Sequence, residues 1–299
     1  MRVLAVVNPR AGGGRGAAAA ARLQVLARRR GLEITLRHTL GPGDAAALGR
    51  EAARDWEVLA AVGGDGTVHE LANGLLAVPR AQRRAALAVL GVGTGNDLAR
   101  ALGIPAELEG ALHTLCTGRR RWIDAVQLDG GWLVNNLSAG FGGEVVRDMA
   151  RSRWLRPAVG GHLAYLLFAL RRLVHPGTEF TVHADARCWH GSFFEVHVAN
   201  GPFCGGGVSF APEAQLDDGW LELTLLEPRG LAATVALLLA AQRARPLRGP
   251  GIERLRARRV RIEGVAPFAY HADGESRLAQ APAAVRLEVV PGALEVIAP

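Results

Sequence analysis

The chain has 299 residues, 49 % of them hydrophobic and 21 % charged, with a formal net charge of +7. That length suits two domains, that balance excludes a disordered chain, and no apolar run reaches the roughly eighteen residues of a membrane-spanning helix. All basic side chains other than histidine are arginine; without lysine, neither a Schiff base nor the lysine of a Walker A loop is available. The three cysteines, Cys116, Cys188 and Cys204, are too scattered for a zinc site or a disulfide framework. Residues 1–7 are too short for a secretory signal and read as a first strand, which makes the cytoplasm the expected location.

Residues 1–125 alternate short β-branched runs with Ala/Leu/Arg stretches, the pattern of a mostly parallel sheet flanked by helices. Strands are expected at Val3 to Val7, Ile34 to His38, Val58 to Val62 and Leu87 to Leu90. Helices are expected from about Gly16 to Arg30, from Asp44 to Arg54, and after Thr67, where Glu70 completes a capping box. From about Trp122 strand-like runs dominate: Gly131 to Asn136, Glu179 to Ala184, Ser192 to Ala199, Leu221 to Leu226 and Arg259 to Ile262. Such frequent strands indicate an antiparallel sandwich or a partly closed sheet. Two apolar helices interrupt them, around Gly161 to Leu173 and Leu231 to Arg243, and strands at Val285 to Val289 and Leu294 to Ile297 close the sequence.

Three glycine-rich turns follow expected strands: Asn8-Pro9-Arg10-Ala11-Gly12-Gly13-Gly14-Arg15-Gly16, Gly63-Gly64-Asp65-Gly66-Thr67, and Gly91-Val92-Gly93-Thr94-Gly95-Asn96-Asp97. In open α/β sheets ligands bind outside the carboxyl ends of the strands, and glycines let backbone amides approach phosphate oxygens. Three such turns point to a phosphate site, with Arg10 and Arg15 as further donors. Asp65 would repel a phosphate unless a cation bridges the two, which points to magnesium or a charge partner. Asp97 reads as a helix N-cap, as part of a carboxylate network with Asp65, or as both.

In the second half, Asn200-Gly201-Pro202 with Gly205 to Gly207 is another strand end opening into a turn. Asp217-Asp218-Gly219 is either a solvent-facing turn or one that orders magnesium. Phosphoryl transfer to an unactivated alcohol needs a base beside the hydroxyl. Glu275 is the candidate, with Asp273 its companion and His271 a weaker competitor.

Together these motifs resemble the diacylglycerol kinase catalytic-domain family in its soluble bacterial form, related to sphingosine and ceramide kinases and distantly to NAD kinases. The matching segments are Asn8-Pro9 with Gly12 to Gly16, Gly63 to Thr67 with Glu70 and Asn73-Gly74, and Gly93 to Asp97. They continue with Asn136 and Gly140-Phe141-Gly142, Asn200-Gly201-Pro202 with Gly205-Gly206-Gly207, Asp217-Asp218-Gly219, Asp273-Gly274-Glu275, and Pro291 to Leu294. The resemblance implies an NAD kinase/diacylglycerol kinase-like two-domain fold. Its α/β nucleotide-binding domain would be 1–125 with 285–299 returning to it, and its β-sandwich substrate domain 126–284. It implies ATP across the cleft, with phosphates near Gly12 to Gly16 and Gly64 to Thr67. Asp65 would position Mg2+-ATP, Asp97 and Asp273 would complete an acidic network, and Glu275 would be the general base. A second, structural magnesium in relatives matches Asp218 and the Trp220 carbonyl, with Gln215 standing where an acid is expected; Gly142 likewise stands where the family often has Asp.

The implied activity is ATP-dependent phosphorylation of a lipid hydroxyl, most readily of diacylglycerol or a related glycerolipid. An NAD kinase and a catalytically inactive lipid sensor are the alternatives. A lipid acceptor requires transient docking on the inner membrane face. Trp154, Leu155, Tyr165, Leu166, Leu167 and Phe168, among Arg147, Arg151, Arg153, Arg156, Arg171 and Arg172, form one candidate surface. Leu231 to Ala241 with Arg243, Arg245 and Arg248 form another; either could instead be a core helix or line the acyl-chain site. No nucleic-acid-binding motif accompanies the positive charge, and homodimerisation is left open.

Overall fold

The computed structural model describes residues 1–152, 167–174 and 176–299, which divide into two compact units. The first comprises Met1–Ala125 with Pro291–Pro299, the second Val126–Val290. Of the expected membrane-contacting residues, Arg153, Trp154, Leu155, Arg156, Tyr165 and Leu166 lie outside the described residues.

In the first unit, the apolar runs Val3–Val7, Val58–Gly63 and Ala86–Gly91 form strands buried on both faces, while Ile34–His38 is a half-exposed edge strand. Strands β1 (Val3–Val7), β2 (Ile34–His38), β3 (Val58–Gly63) and β4 (Ala86–Gly91) pair in the order β2-β1-β3-β4, all parallel. The intervening helices are α1 (Ala11–Arg29, interrupted near its start by the non-helical Gly12, Gly13 and Gly14), α2 (Asp44–Ala52) and α3 (Asp65–Leu76), followed by α4 (Asp97–Ala101) and α5 (Leu108–Thr117). Leu23, Leu71, Leu75 and Leu112 give them their buried faces.

The capping box expected on Thr67 and Glu70 is not formed. Helix α3 starts two residues earlier, at Asp65. Glu70 instead accepts the amides of Gly43 (2.9 Å) and Ala45 (3.2 Å), capping the start of α2 from a neighbouring helix.

The second unit contains two antiparallel layers. Strands β5 (Arg119–Leu128, which begins in the first unit), β6 (Gly131–Leu133), β7 (Asn136–Gly140), β8 (Thr178–Ala184), β9 (Arg187–Phe193) and β10 (Glu195–Ala199) come first in the chain. Later come β11 (Leu221–Leu226), β12 (Ile252–Ala257), β13 (Arg259–Gly264), β14 (Phe268–Ala272), β15 (Glu275–Ala279) and β16 (Ala284–Ala298). One layer runs β12-β11-β10-β7-β14-β15; the other contains β16-β13-β8-β9, with β5 beside β16 and β6 beside β5. Phe180, Val182, Ile262 and Leu287 from one layer meet Leu137, Val196, Leu223 and Tyr270 from the other in a shared core. A second cluster unites Phe141 and Val145 of α6 (Phe141–Arg151), Phe194 and Phe210, and Leu237 and Ala241 of α7 (Leu231–Gln242).

Several expected strands are redrawn. Ser192 to Ala199 is divided between β9 and β10, because the Phe194 amide leaves the run to donate to the Leu226 carbonyl (2.7 Å). Conversely, the two closing strands are one. β16 continues through Pro291 and Gly292, pairing Ala284 to Glu288 with β13 and Val296 with β4.

Candidate active site

Strands β1, β3 and β4 bring the three glycine turns together in the first unit. The Asn8 amide donates to the Val62 carbonyl and the Val92 amide to the Gly63 carbonyl, both at 2.9 Å, which holds the three strand ends level. The Asn8 side-chain amide reaches Thr67 Oγ1 at 3.3 Å, while its Oδ1 accepts the Arg10 amide at 3.0 Å. After Pro9 the chain passes through Gly12, Gly13 and Gly14 with φ of 59°, 74° and 99°. Three consecutive left-handed residues are tolerated only because each is glycine. A Cβ at Gly13 or Gly14 would meet nothing within 4 Å, so the crest of the turn is open. Arg15 folds back on it, Nε donating to the Gly12 carbonyl at 2.9 Å.

Contact between turns is backbone to backbone. A Cβ on Gly12 would lie 2.4 Å from the Val92 carbonyl oxygen, and one on Gly93 2.6 Å from Cα of Gly64. Gly66 and Thr67 occupy the first turn of α3; Gly93, Thr94, Gly95 and Asn96 form the turn leading into α4. Asp65 fastens these two turns: Oδ2 accepts the Asn96 amide at 2.9 Å and Oδ1 the Asp97 amide at 2.7 Å. Asp97 is buried, and a Cβ on Gly95 would lie 2.4 Å from Asp65 Oδ2 and 3.5 Å from Asp97 Oδ2. The two acids share one pocket of backbone. Asn96 adopts a left-handed conformation (φ 53°), and its Oδ1 is buried without a donor.

In the second unit, Asp273 and Gly274 have φ of 49° and 82°, the paired positive values of a type I′ hairpin, and they join β14 to β15. The Asp273 carboxylate is buried and accepts three amides, from Val134 (2.9 Å), Asn135 (2.9 Å) and Asn136 (3.1 Å). It therefore anchors the β6–β7 corner. The side-chain amides of Asn135 and Asn136 both donate to the Phe203 carbonyl. Glu275 opens β15 with its side chain exposed, and His271 is buried, its basicity reduced to a pKa of about 4 mainly by burial.

The Asp218 turn has a different character. Asp218 Oδ1 accepts the Trp220 amide at 3.0 Å, and Oδ2 pairs with the Arg256 guanidinium. Arg256 Nε also reaches Glu222 at 2.9 Å, and Arg256 and Arg258 lie over the Trp220 ring, 5.5 and 4.5 Å from its centroid. Gln215 is exposed and uncharged. Asp218 is the one carboxylate within the set Gln215, Asp218 and Trp220, and it is already matched by a guanidinium, so the set does not fit a resident divalent cation.

The sequence reading passed over one buried group. Ser138 Oγ lies 2.8 Å from His197 Nδ1, and Glu195 Oε2 accepts the Gly142 amide at 2.8 Å. Burial pushes the Glu195 carboxyl up to about 8, against the opposing effect of its hydrogen bonds, and pushes His197 down to about 3. A Cβ at Gly142 would come within 3.2 Å of Glu195 Oε1, so Glu195 takes up space beside the position where the resemblance leads one to expect Asp. The available signal was the alternation of polar and apolar residues in Glu195-Val196-His197-Val198, in a strand buried on both faces.

Comparison with known proteins agrees with this architecture. Residues 2–128 match the diacylglycerol kinase catalytic domain, and residues 135–298 match the YegS C-terminal NAD kinase beta sandwich-like domain. A probable lipid kinase YegS-like protein of Pseudomonas aeruginosa is 34 % identical over 306 residues, covering 100 % of this chain and 94 % of its own. A diacylglycerol kinase of Bacillus subtilis is 32 % identical, with 82 % and 80 % covered. The fold is shared with a crystal structure of a diacylglycerol kinase from Bacillus anthracis, with a TM-score of 0.76 and 22 % identity over 100 % of this chain and 97 % of that one. With a diacylglycerol kinase catalytic domain followed by a YegS-type β-sandwich domain, the chain belongs to the diacylglycerol kinase family of lipid kinases.

Proposed function

We propose that the protein transfers the γ-phosphoryl group of ATP to the hydroxyl of a lipid, with diacylglycerol or a closely related glycerolipid as acceptor. The observation that carries this reading is the meeting of three glycine turns at the ends of β1, β3 and β4, the second and third of them fastened by Asp65. The open left-handed turn Gly12–Gly14 and the start of α3 suit a nucleotide's phosphates. Asp65 and Asp97 are the residues that would hold Mg2+ with those phosphates. The ion would supply charge neutralisation at the transferred group. Glu275 is the proposed base, drawing the proton from the acceptor hydroxyl as the new P–O bond forms and ADP leaves. Asp273 acts by positioning, since its carboxylate is committed to three backbone amides. A lipid acceptor also calls for transient contact with a membrane surface; no described helix is long and apolar enough to cross one.

The test is transfer of label from γ-labelled ATP, with magnesium, to diacylglycerol, monoacylglycerol, phosphatidylglycerol, sphingosine or ceramide in mixed micelles. NAD in aqueous solution is the control, and the Glu275→Gln protein is run beside each. Label on a lipid, lost by at least roughly a hundredfold in the variant while ATP binding persists, is the expected result. Label on NAD alone, or undiminished turnover by Glu275→Gln, would overturn the acceptor or the base respectively.

A further inference from the structure

Helix α7 departs from the rule for surface helices. An ordinary surface helix turns an apolar stripe inward and a polar face to water. α7 buries only Thr234, Leu237 and Ala241, spaced i, i+3 and i+7. Its opposite side carries Leu231, Val235 and Leu239, spaced i, i+4 and i+8 and 52 %, 37 % and 43 % exposed, with exposed alanines between them. No charged residue occurs anywhere in the helix. The helical residues 167–171 repeat the arrangement: Phe168 and Ala169 pack in the same cluster as Leu237 and Ala241, while Leu167 and Leu170 are exposed. A contiguous apolar face on an otherwise polar surface marks a place where something docks.

Charge identifies what docks. Arg243, Arg245 and Arg248 follow the helix and are all exposed, as is Arg171. No acidic residue occurs between Glu227 and Glu253. An apolar helix face ending in arginines without acids complements an anionic lipid surface, into which such a helix sinks lengthwise while its arginines meet the headgroups. At 12 residues α7 is far too short to span a bilayer. We propose that α7 and the Arg243–Arg248 segment form the membrane-docking surface of this protein, selective for anionic bilayers. The inference deepens the lipid-acceptor reading by naming the surface through which that acceptor is reached.

The test uses the full chain without nucleotide, sedimented with vesicles of phosphatidylcholine alone or mixed with phosphatidylglycerol. Binding is expected on the mixed vesicles and to weaken with salt. The double variant Leu231→Glu/Leu239→Glu, whose changes fall on the outward face, should lose binding by roughly tenfold or more while its melting temperature stays unchanged. Arg243→Gln/Arg245→Gln/Arg248→Gln should bind both vesicle types equally weakly. Wild-type binding by the Leu231→Glu/Leu239→Glu protein would overturn the proposal. So would a wild-type dimer in sedimentation velocity that the double variant converts to monomer without any vesicle binding, because a second copy would then be the occupant. The outcome is separable from the kinase reading. Vesicle binding with no label on any lipid sinks the kinase reading alone, and micellar turnover with unaltered variant binding sinks the docking surface alone.

Discussion

The backbone amide of Asp97 donates to Oδ1 of Asp65 at 2.7 Å, so the acid beyond β3 holds the turn beyond β4. Two jobs fall on one carboxylate: it fixes the geometry of a glycine turn, and it presents negative charge beside the backbone proposed to bind phosphates. Asp65→Asn keeps the volume but weakens both amide bonds. Stability should fall by about 1–3 kcal/mol, measured by denaturant unfolding, and phosphoryl transfer should fall by far more than that loss explains. Equal, modest losses in both would assign Asp65 a structural role only.

Asp273 makes the opposite prediction. Its carboxylate accepts three amides of residues 134–136 and is buried. Asp273→Ala leaves those donors without a partner and removes a residue type suited to the left-handed turn position. A destabilisation of about 2–4 kcal/mol is expected. A variant that melts like wild type would show that the corner is held by something else.

Glu195 makes stability depend on pH. Its folded pKa of about 8 lies above the ordinary 4.5, so the folded state holds a proton that the unfolded state has released. That contribution is complete below pH 4.5 and disappears as pH rises through about 8. It is on the order of a few kcal/mol. His197 and His271, lowered from 6.5 to about 3 and about 4, act the other way: their contribution is present above pH 6.5 and is lost as pH falls through those values. Glu195→Gln, neutral at every pH, should therefore match wild type most closely near pH 5 and become the more stable of the two as pH rises towards 8. Parallel melting curves across that range would refute the buried proton.

Arg256 supplies positive charge to Asp218 and to Glu222, whose carboxyl burial already pushes up. Arg256→Ala should cost about 1–2 kcal/mol, and chelation by EDTA should leave the wild-type melting temperature unchanged. A fall in that temperature on chelation, restored by magnesium, would mean that a metal holds this turn after all.

How much of this was legible depended on the distance over which each contact acts. Strands β1, β3 and β4 and the glycine turns could be read directly, since apolar runs and left-handed backbone leave local marks in the residues themselves. Glu70 misled because its spacing from Thr67 fits a local cap, whereas its partners, Gly43 and Ala45, belong to another helix. The Pro291-Gly292 pair signals a turn, yet β16 runs through it. The Gly292 amide donates to Asp124 Oδ1 at 2.8 Å rather than closing a turn. Asp273 and its amide partners are more than a hundred residues apart in sequence, and Arg256 meets Glu222 through strand register. No local pattern announces either.

The shared strand β16 bears on the order in which the protein can be made. Its residues 284–288 pair within the second unit, whereas Val296 pairs with Leu87 beside β4 in the first. On the ribosome, residues 1–125 emerge early but cannot complete their sheet until all of 126–290 has been synthesised and residues 291–298 have followed. Until then β4 lacks one neighbour and offers an open apolar edge. The nascent amino-terminal half thus faces a waiting period in which that edge is open to pairing with the wrong strand.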